Sequence, residues 1–455
     1  MDMKERKILI LQGSMYKVII TLALPIMFSN LIQTLYSLID GIWVSKLGSI
    51  QFAAISFVWP VMFLFISVGI GLFIAGTSIL SQFIGASKYD KASKYATQLI
   101  AIAFVCAICF SFIGYLISPI IINIMGANGE LAHYSEIFLR LTFLDMPFTF
   151  LFFCFNAIMS SQGNTLTPTI LSSISVIINA ILDPILIFEF NMGIAGAPIA
   201  TLISKAILAG AGLYMLHRST SKIKPSFSKF AFDKDILIKL FKVALPSAIG
   251  QTGSALGFII LNGFIVSYGT STLAAFGMVN RITSLIMQPA MGIGASLTAI
   301  VGQNLGSGNL DRVKEAFIKA LKLTISISII GCIVLIWKDK PIVNFFIRSK
   351  DDNDVISQGI TYLMYISFSM PLMGIFSVFQ GIFQGSGHTK YSMSMEIGRL
   401  WFVRLPMILL FKHFTTIGSE GIWLSMSSSN LIVCLYGYYI YRRGGWQKKI
   451  IRTND

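Results

Sequence analysis

Apolar residues run along this chain in long, nearly unbroken stretches separated by short polar segments. A helix needs about 20 mostly apolar residues to cross a bilayer, and windows that meet this recur at 18–46, 51–84, 95–122, 133–160, 165–190, 193–217, 236–267, 272–304, 315–337, 355–384, 391–412 and 418–441. The pattern predicts an all-α polytopic membrane protein with twelve transmembrane helices. Several windows exceed the hydrocarbon thickness, which predicts tilt or helix ends that project into water. Between the ninth and tenth windows, Lys338 to Asp354 mixes four basic residues with Asp339, Asp351, Asp352 and Asp354 and reads as a long external loop.

The pattern is written twice. At an offset of 221 residues, Ala23-Leu24-Pro25 matches Ala244-Leu245-Pro246, Gly48 matches Gly269, and Ala53-Ala54 matches Ala274-Ala275. QFIGASKYDK at 82–91 returns as QNLGSGNLDR at 303–312, Gly163-Asn164-Thr165 is echoed by Gly387-His388-Thr389, and Gly196 by Gly421. Each half holds six spans, an even number, so the halves enter the membrane with the same orientation and are related by an axis along its normal. Two pseudo-twofold-related six-helix bundles follow: an N-terminal lobe at 1–217, a basic connector at 218–235 and a C-terminal lobe at 236–455, with a substrate site expected between the lobes.

Composition agrees, since only 12% of the 455 residues are charged against about a quarter in soluble domains. A net charge of +15 suggests nucleic acid only if the basic residues form one patch, and they do not. They group as Lys4, Arg6, Lys7 and Lys17; Lys88, Lys91 and Lys94; Arg218, Lys222, Lys224, Lys229 and Lys234; Arg312, Lys314 and Lys319; Lys390; and Arg442, Arg443, Lys448, Lys449 and Arg452. Each group follows an even-numbered span or marks a terminus, so the positive-inside bias predicts cytoplasmic termini on a multi-pass protein of the cell membrane. The basic, then apolar, N-terminus has no small-residue cleavage site and reads as an uncleaved first helix.

Cys106, Cys109, Cys154, Cys332 and Cys434 lie within or against apolar windows, with no disulfide or metal spacing. The chain contains no G-x-x-x-x-G-K-[ST] and no H-E-x-x-H, and His133, His217, His388 and His413 are dispersed. A built-in ATPase is therefore excluded, no enzyme is expected, and neither a cofactor nor a nucleic-acid partner is implied. The expected state is a monomer in the bilayer that handles small organic molecules.

Against this background Asp40 and Asp183 stand out, in LIQTLYSLIDGIWV and SVIINAILDPILIF. A carboxylate near a bilayer centre costs a few kcal/mol, and such residues normally face a cavity or bind a cation or proton. Asn179, four residues before Asp183, shares its helix face, and Pro184 loosens the backbone beside it. Lys205, one turn after Thr201, is placed to neutralise Asp183, Arg140 to pair with Asp145, and Glu396 to pair with Arg399 near a helix end, with Arg404 further along. Met27, Phe28, Met62, Phe153, Met159, Met278, Met287 and Met291 either pack the core or line a cavity for varied ligands.

These features together resemble the multidrug and toxic compound extrusion (MATE) family. The resemblance rests on LALP at 22–25, D-x-x-x-V-x-x-x-G from Asp40 to Gly48, QGNTLTP at 162–168, INAILDP at 178–184, and G-x-x-G-A at 193–197. It implies a secondary active transporter that exports small, often cationic, organic compounds against inward proton or sodium flow. The alternative is a flippase for lipid-linked precursors with a related fold. The DinF-like branch implies coupling through Asp40, Asn156, Asn179, Asp183 and Thr201, with sodium, if it binds, at Asp40, Asn179, Asp183 and Thr201. Lys205, Tyr36, Gln33 and Pro25 are then modulators, and Met27, Phe153, Met159, Gln251 and Met287 line the substrate cavity. The branch resembling NorM places acids in the seventh and tenth spans, where this chain has Gln251 and no carboxylate. The C-lobe counterparts of Asp40, Asn179 and Asp183, near Leu261, Trp401 and Leu405, are apolar, which leaves coupling to the N-lobe.

Overall fold

The computed structural model describes residues 2–219, 221–228, 230–346 and 353–451. Lys229 and Arg452 of the basic groups, and 347–352 of the expected external loop, lie outside them. Each predicted window is helical. The N-lobe spans are Met15–Ser45, Ser49–Gly85, Tyr89–Ile124, a fourth made of Gly129–Phe143 and Met146–Ser161, Leu166–Pro184 continuing as a π turn Ile185–Glu189, and Gly196–Arg218. The C-lobe spans are Lys234–Val266, Thr270–Ser307, Leu310–Trp337, Asn353–Gly385, an eleventh running Thr389–Ile397, π turn Gly398–Arg404 and Leu405–Phe414, and finally Glu420–Arg443. Two short helices, Met3–Gln12 and Asp339–Phe346, lie outside the spans.

The irregularities have local causes. The fourth span bends by 45° at Leu144–Asp145, directly before Pro147, which cannot donate to the preceding turn. The fifth span changes to a π turn at Pro184 for the same reason. The first span runs unbroken through Pro25. Carbonyls of the turn that this proline weakens accept hydroxyls from the fifth span, Thr165 to Leu22 O at 3.0 Å and Thr169 to Pro25 O at 2.9 Å.

At the face that carries both termini the lobes exchange helix ends. Met15, Val18, Ile19 and Leu22 of the first span are buried in the C-lobe core, while Ile236, Leu240 and Val243 of the seventh are buried in the N-lobe core. Further from that face each helix returns to its own lobe, Val44 in the N-lobe and Leu261 and Ile265 in the C-lobe. The bundles expected to be separate therefore interlock at one end, because a closed face buries apolar surface that would otherwise meet water.

This seal repeats the doubling of the sequence in atomic detail. The Gln82 amide donates to Gly385 O and Ser386 O at 3.4 and 3.2 Å, and the Gln303 amide donates to Ser161 O at 2.7 Å. Thr389 donates to Val243 O at 2.7 Å, the counterpart of the Thr165 bond. A Cβ on Gly85 would stand 2.0 Å from Gln303 O, and one on Gly306 would stand 2.0 Å from Gln82 O. Both termini reinforce the seal. Ile10 of the N-terminal helix is buried in the C-lobe, and its carbonyl accepts Arg312 Nη2 at 3.2 Å. The C-terminal segment reaches the other way, where Ile450 N donates to Gln82 Oε1 at 3.1 Å and Ile451 is buried against the N-lobe.

Replacing Gly85 or Gly306 by Val should wedge the second and eighth spans apart. In a cysteine-free background with Ser386→Cys, an impermeant maleimide should then label that buried position faster than in the parent. Equal labelling rates would show that the glycine contact does not hold the seal.

Candidate functional site

Asp40, Tyr36, Asn179, Asp183 and Thr201 meet inside the N-lobe, brought together by the first, fifth and sixth spans. Asn179 and Asp183 are both 0% exposed, and their spacing places the Asn179 amide 3.2 Å from Asp183 Oδ1 and 3.4 Å from Thr201 Oγ1. The Tyr36 hydroxyl reaches Thr201 Oγ1 at 2.6 Å and so ties the first span to the sixth. Three buried oxygens have no hydrogen-bond partner: Asp40 Oδ1, Asn179 Oδ1 and Asp183 Oδ2. Buried acceptors without donors are costly, so this set is suited to take up a cation. Among the described residues no group of three or more His, Cys, Asp or Glu is arranged as a metal site; the pocket offers two carboxylates with neutral oxygens.

Lys205 does not neutralise Asp183. Its Nζ pairs with Asp145 Oδ2 at 2.9 Å, and Thr149 donates to Asp145 Oδ1 at 2.9 Å. The bend of the fourth span presents Asp145, 1% exposed, to the sixth span, so the lysine has a carboxylate of its own. Arg140, expected to pair with Asp145, instead pairs with Glu136 at 3.0 Å one turn away. Gln33 is exposed and stands outside the cluster.

Asn156 lies elsewhere. It accepts a bond from Ser160 at 2.9 Å within its own helix and lines a cavity of ≈ 420 Å³ between the lobes, just above the sealed face. Asn30, Thr77, Gln251, Met291 and Gln384 share that lining, which carries amides, hydroxyls and apolar groups and no charged side chain. Of the residues expected there, Gln251 lines it, whereas Met27 packs on Gly292 and Phe153 on Gly69. Met159 and Met287 belong to lobe cores. The close approach of helices at glycines takes up these side chains.

The C-lobe holds a polar network that the sequence signalled only as three charges. Arg404 is 2% exposed and donates to Ser429 Oγ and Asn430 Oδ1, both at 3.0 Å. Arg399 does not pair with Glu396; its Nη1 meets Met373 Sδ at 3.0 Å and its guanidinium lies 4.5 Å from the Phe376 ring centre. The π turn at Gly398–Arg404 shifts the helical phase, which is why α-helical spacing misplaced Arg399.

Comparisons with known proteins agree with this architecture. The MatE family model matches residues 25–185 and 246–410, once in each half. The chain is 26% identical to the probable multidrug resistance protein YoeA of Bacillus subtilis, covering 94% of this chain and 93% of that protein. It is also 26% identical to an FAD transporter of Shewanella oneidensis, covering 97% of each. A solved structure of a MATE protein in complex with MaL6 superposes with a TM-score of 0.90 at 24% identity, covering 96% of this chain and 97% of that one. A multidrug resistance MATE transporter in an outward-facing conformation superposes at 0.89 and 24% identity, over the same shares of the two chains.

Asp145→Asn should strand the Lys205 ammonium and lower the thermal midpoint in detergent. Breaking a fully buried pair costs about 3–5 kcal/mol, and Lys205 is 27% exposed, so a loss of about 2 kcal/mol is expected after that discount. An unchanged midpoint would mean that the pair contributes nothing to folding.

Proposed function

The chain belongs to the MatE family, and on that footing we propose that it is a secondary active exporter of small organic compounds, with the N-lobe pocket of Asp40, Asn179, Asp183, Thr201 and Tyr36 as its coupling site. The observation that carries this reading is the convergence of three partnerless oxygens in a pocket whose nearest lysine is already committed to Asp145. Two interacting carboxylates take up positive charge as a pair, so a proton is the obligatory coupling ion, with sodium at most an alternative occupant. A membrane potential of 100 mV supplies about 2.3 kcal/mol per elementary charge, enough to drive antiport without ATP.

In the same reading the sealed face is cytoplasmic, as the lysines and arginines that crowd it favour, and the cavity is reached from the other side. One chain supplies both lobes, so a monomer suffices. Charge uptake at Asp40 and Asp183 acts on the cavity through the first span, whose carbonyls flank Pro25 and whose Asn30 faces the cavity. The neutral cavity suits amphipathic molecules recognised by hydrogen bonds and apolar contact. A flippase for phosphate-bearing lipids is disfavoured, because no basic side chain lines the cavity.

Dye efflux from inverted vesicles, with pH and sodium gradients imposed separately, tests this. The pH gradient alone should drive export, and Asp40→Asn or Asp183→Asn should abolish it while expression persists. Full export on a sodium gradient with the pH gradient collapsed would overturn the proton assignment. Normal export by both variants would remove the pocket from the mechanism.

A further inference from the structure

Three segments distant in sequence converge on one edge of the terminal face. Ser87, Lys88, Tyr89, Asp90, Lys91 and Lys222 line a surface pocket of ≈ 540 Å³. Lys7 of the N-terminal helix reaches in from the side, donating to Ser87 Oγ at 2.7 Å and Tyr89 OH at 3.2 Å. The ammoniums of Lys7 and Lys222 stand 5.2 and 4.9 Å from the centre of the same Tyr89 ring. Asp90 is the one acid in the lining, and no ion pair with a described acidic residue engages Lys7, Lys91 or Lys222. The main chain fixes this convergence: Lys222 O accepts Ser93 Oγ at 3.4 Å and Lys224 N donates to it at 3.1 Å, which holds the connector on the third span. Like charges gathered with so little compensation favour an anion.

The surroundings identify which anion. Along the connector, Phe227 and Phe232 are 53% and 51% exposed, with Phe230 at 5.7 and 5.0 Å from their rings and Lys224 and Lys234 on either side. Ile8, next to Lys7, is 49% exposed. Exposed apolar side chains beside lysines are the pattern of a segment lying at the headgroup boundary, so the pocket is presented to the bilayer surface.

We propose that this pocket binds the headgroup of an anionic phospholipid of the cytoplasmic leaflet, its phosphate held by Lys7, Lys91 and Lys222 with the Ser87 and Tyr89 hydroxyls. The bound lipid ties the N-terminal helix to the N-lobe. Because that helix also buries Ile10 in the C-lobe, occupancy favours the sealed face. The inference rests on the cytoplasmic placement of that face, which impermeant labelling checks separately, and it does not depend on which ion drives transport.

The test is native mass spectrometry of the full chain released from nanodiscs of phosphatidylcholine with phosphatidylglycerol. The wild type should retain phosphatidylglycerol, and Lys7→Gln with Lys222→Gln should reduce retention roughly tenfold or more. Lys314→Gln with Lys319→Gln, an equal charge change on the C-lobe, should leave it unchanged, and Lys91→Gln serves if the first pair disturbs folding. Equal loss in the C-lobe control, or equal retention in all variants, would overturn the proposal. A parallel arm measures thermal stabilisation by inorganic phosphate and by glycerol phosphate. Stabilisation by these as strong as by the lipid would assign the pocket to a soluble anion and overturn the lipid assignment.

Discussion

Carboxylate oxygens inside a bilayer have no water to turn to, and the N-lobe is arranged around two of them. Asp183 shares one oxygen with the Asn179 amide and leaves the other bare, and Asp40 leaves its Oδ1 bare. The obvious counter-charge, Lys205, is held by Asp145 at the bend of the fourth span. The lobe thus keeps its lysine paired within one turn of Thr201, and in the proposed reading the acid pair is left to take up a mobile cation. Had Lys205 reached Asp183, the pocket would be a structural ion pair with nothing left to bind.

In the proposed coupling the pocket must act on the rest of the molecule, and the first span is the element that joins them. Tyr36 and Asp40 place it in the pocket, Asn30 brings it to the cavity, and its first turns are buried in the opposite lobe's core. The seventh span repeats the exchange with the opposite sense, and the close contacts at Gly85 and Gly306 leave no room for gradual adjustment. Packed interfaces of this kind are bistable rather than continuously deformable. A change of charge at Asp40 therefore bears on a helix that belongs to both lobes.

Hydropathy showed twelve spans, and the repeated landmarks showed the doubling, because lipid exposure and helix entry are written locally. Asn179 and Asp183 were legible for the same reason, since spacing of four on a regular helix fixes a shared face. Asn156 and Lys205 were not: their directions depend on the break at Asp145 and Pro147, which rotates one half of the fourth span against the other. Arg399 was misplaced because a π turn shifts the phase, and the partners of Arg404 had no local signal. The matching Gln82 and Gln303 were visible as a repeat, but their role as donors across the seal required knowing which carbonyls stand opposite. Met291 lines the cavity, whereas Met27 and Phe153 pack against glycines and Met159 and Met287 lie within lobe cores, and no local signal separates those uses in so apolar a chain.

In the proposed mechanism, proton uptake at Asp40 and Asp183 and substrate binding in the cavity are linked through the first span, so that binding of substrate releases the proton. Difference infrared spectroscopy of the purified protein, recorded as a transported dye is added, observes it directly. A band of a protonated carboxyl group should be lost on dye binding, and the loss should be missing in Asp183→Asn. The same band change in that variant, or no carboxyl change in the wild type, would contradict it.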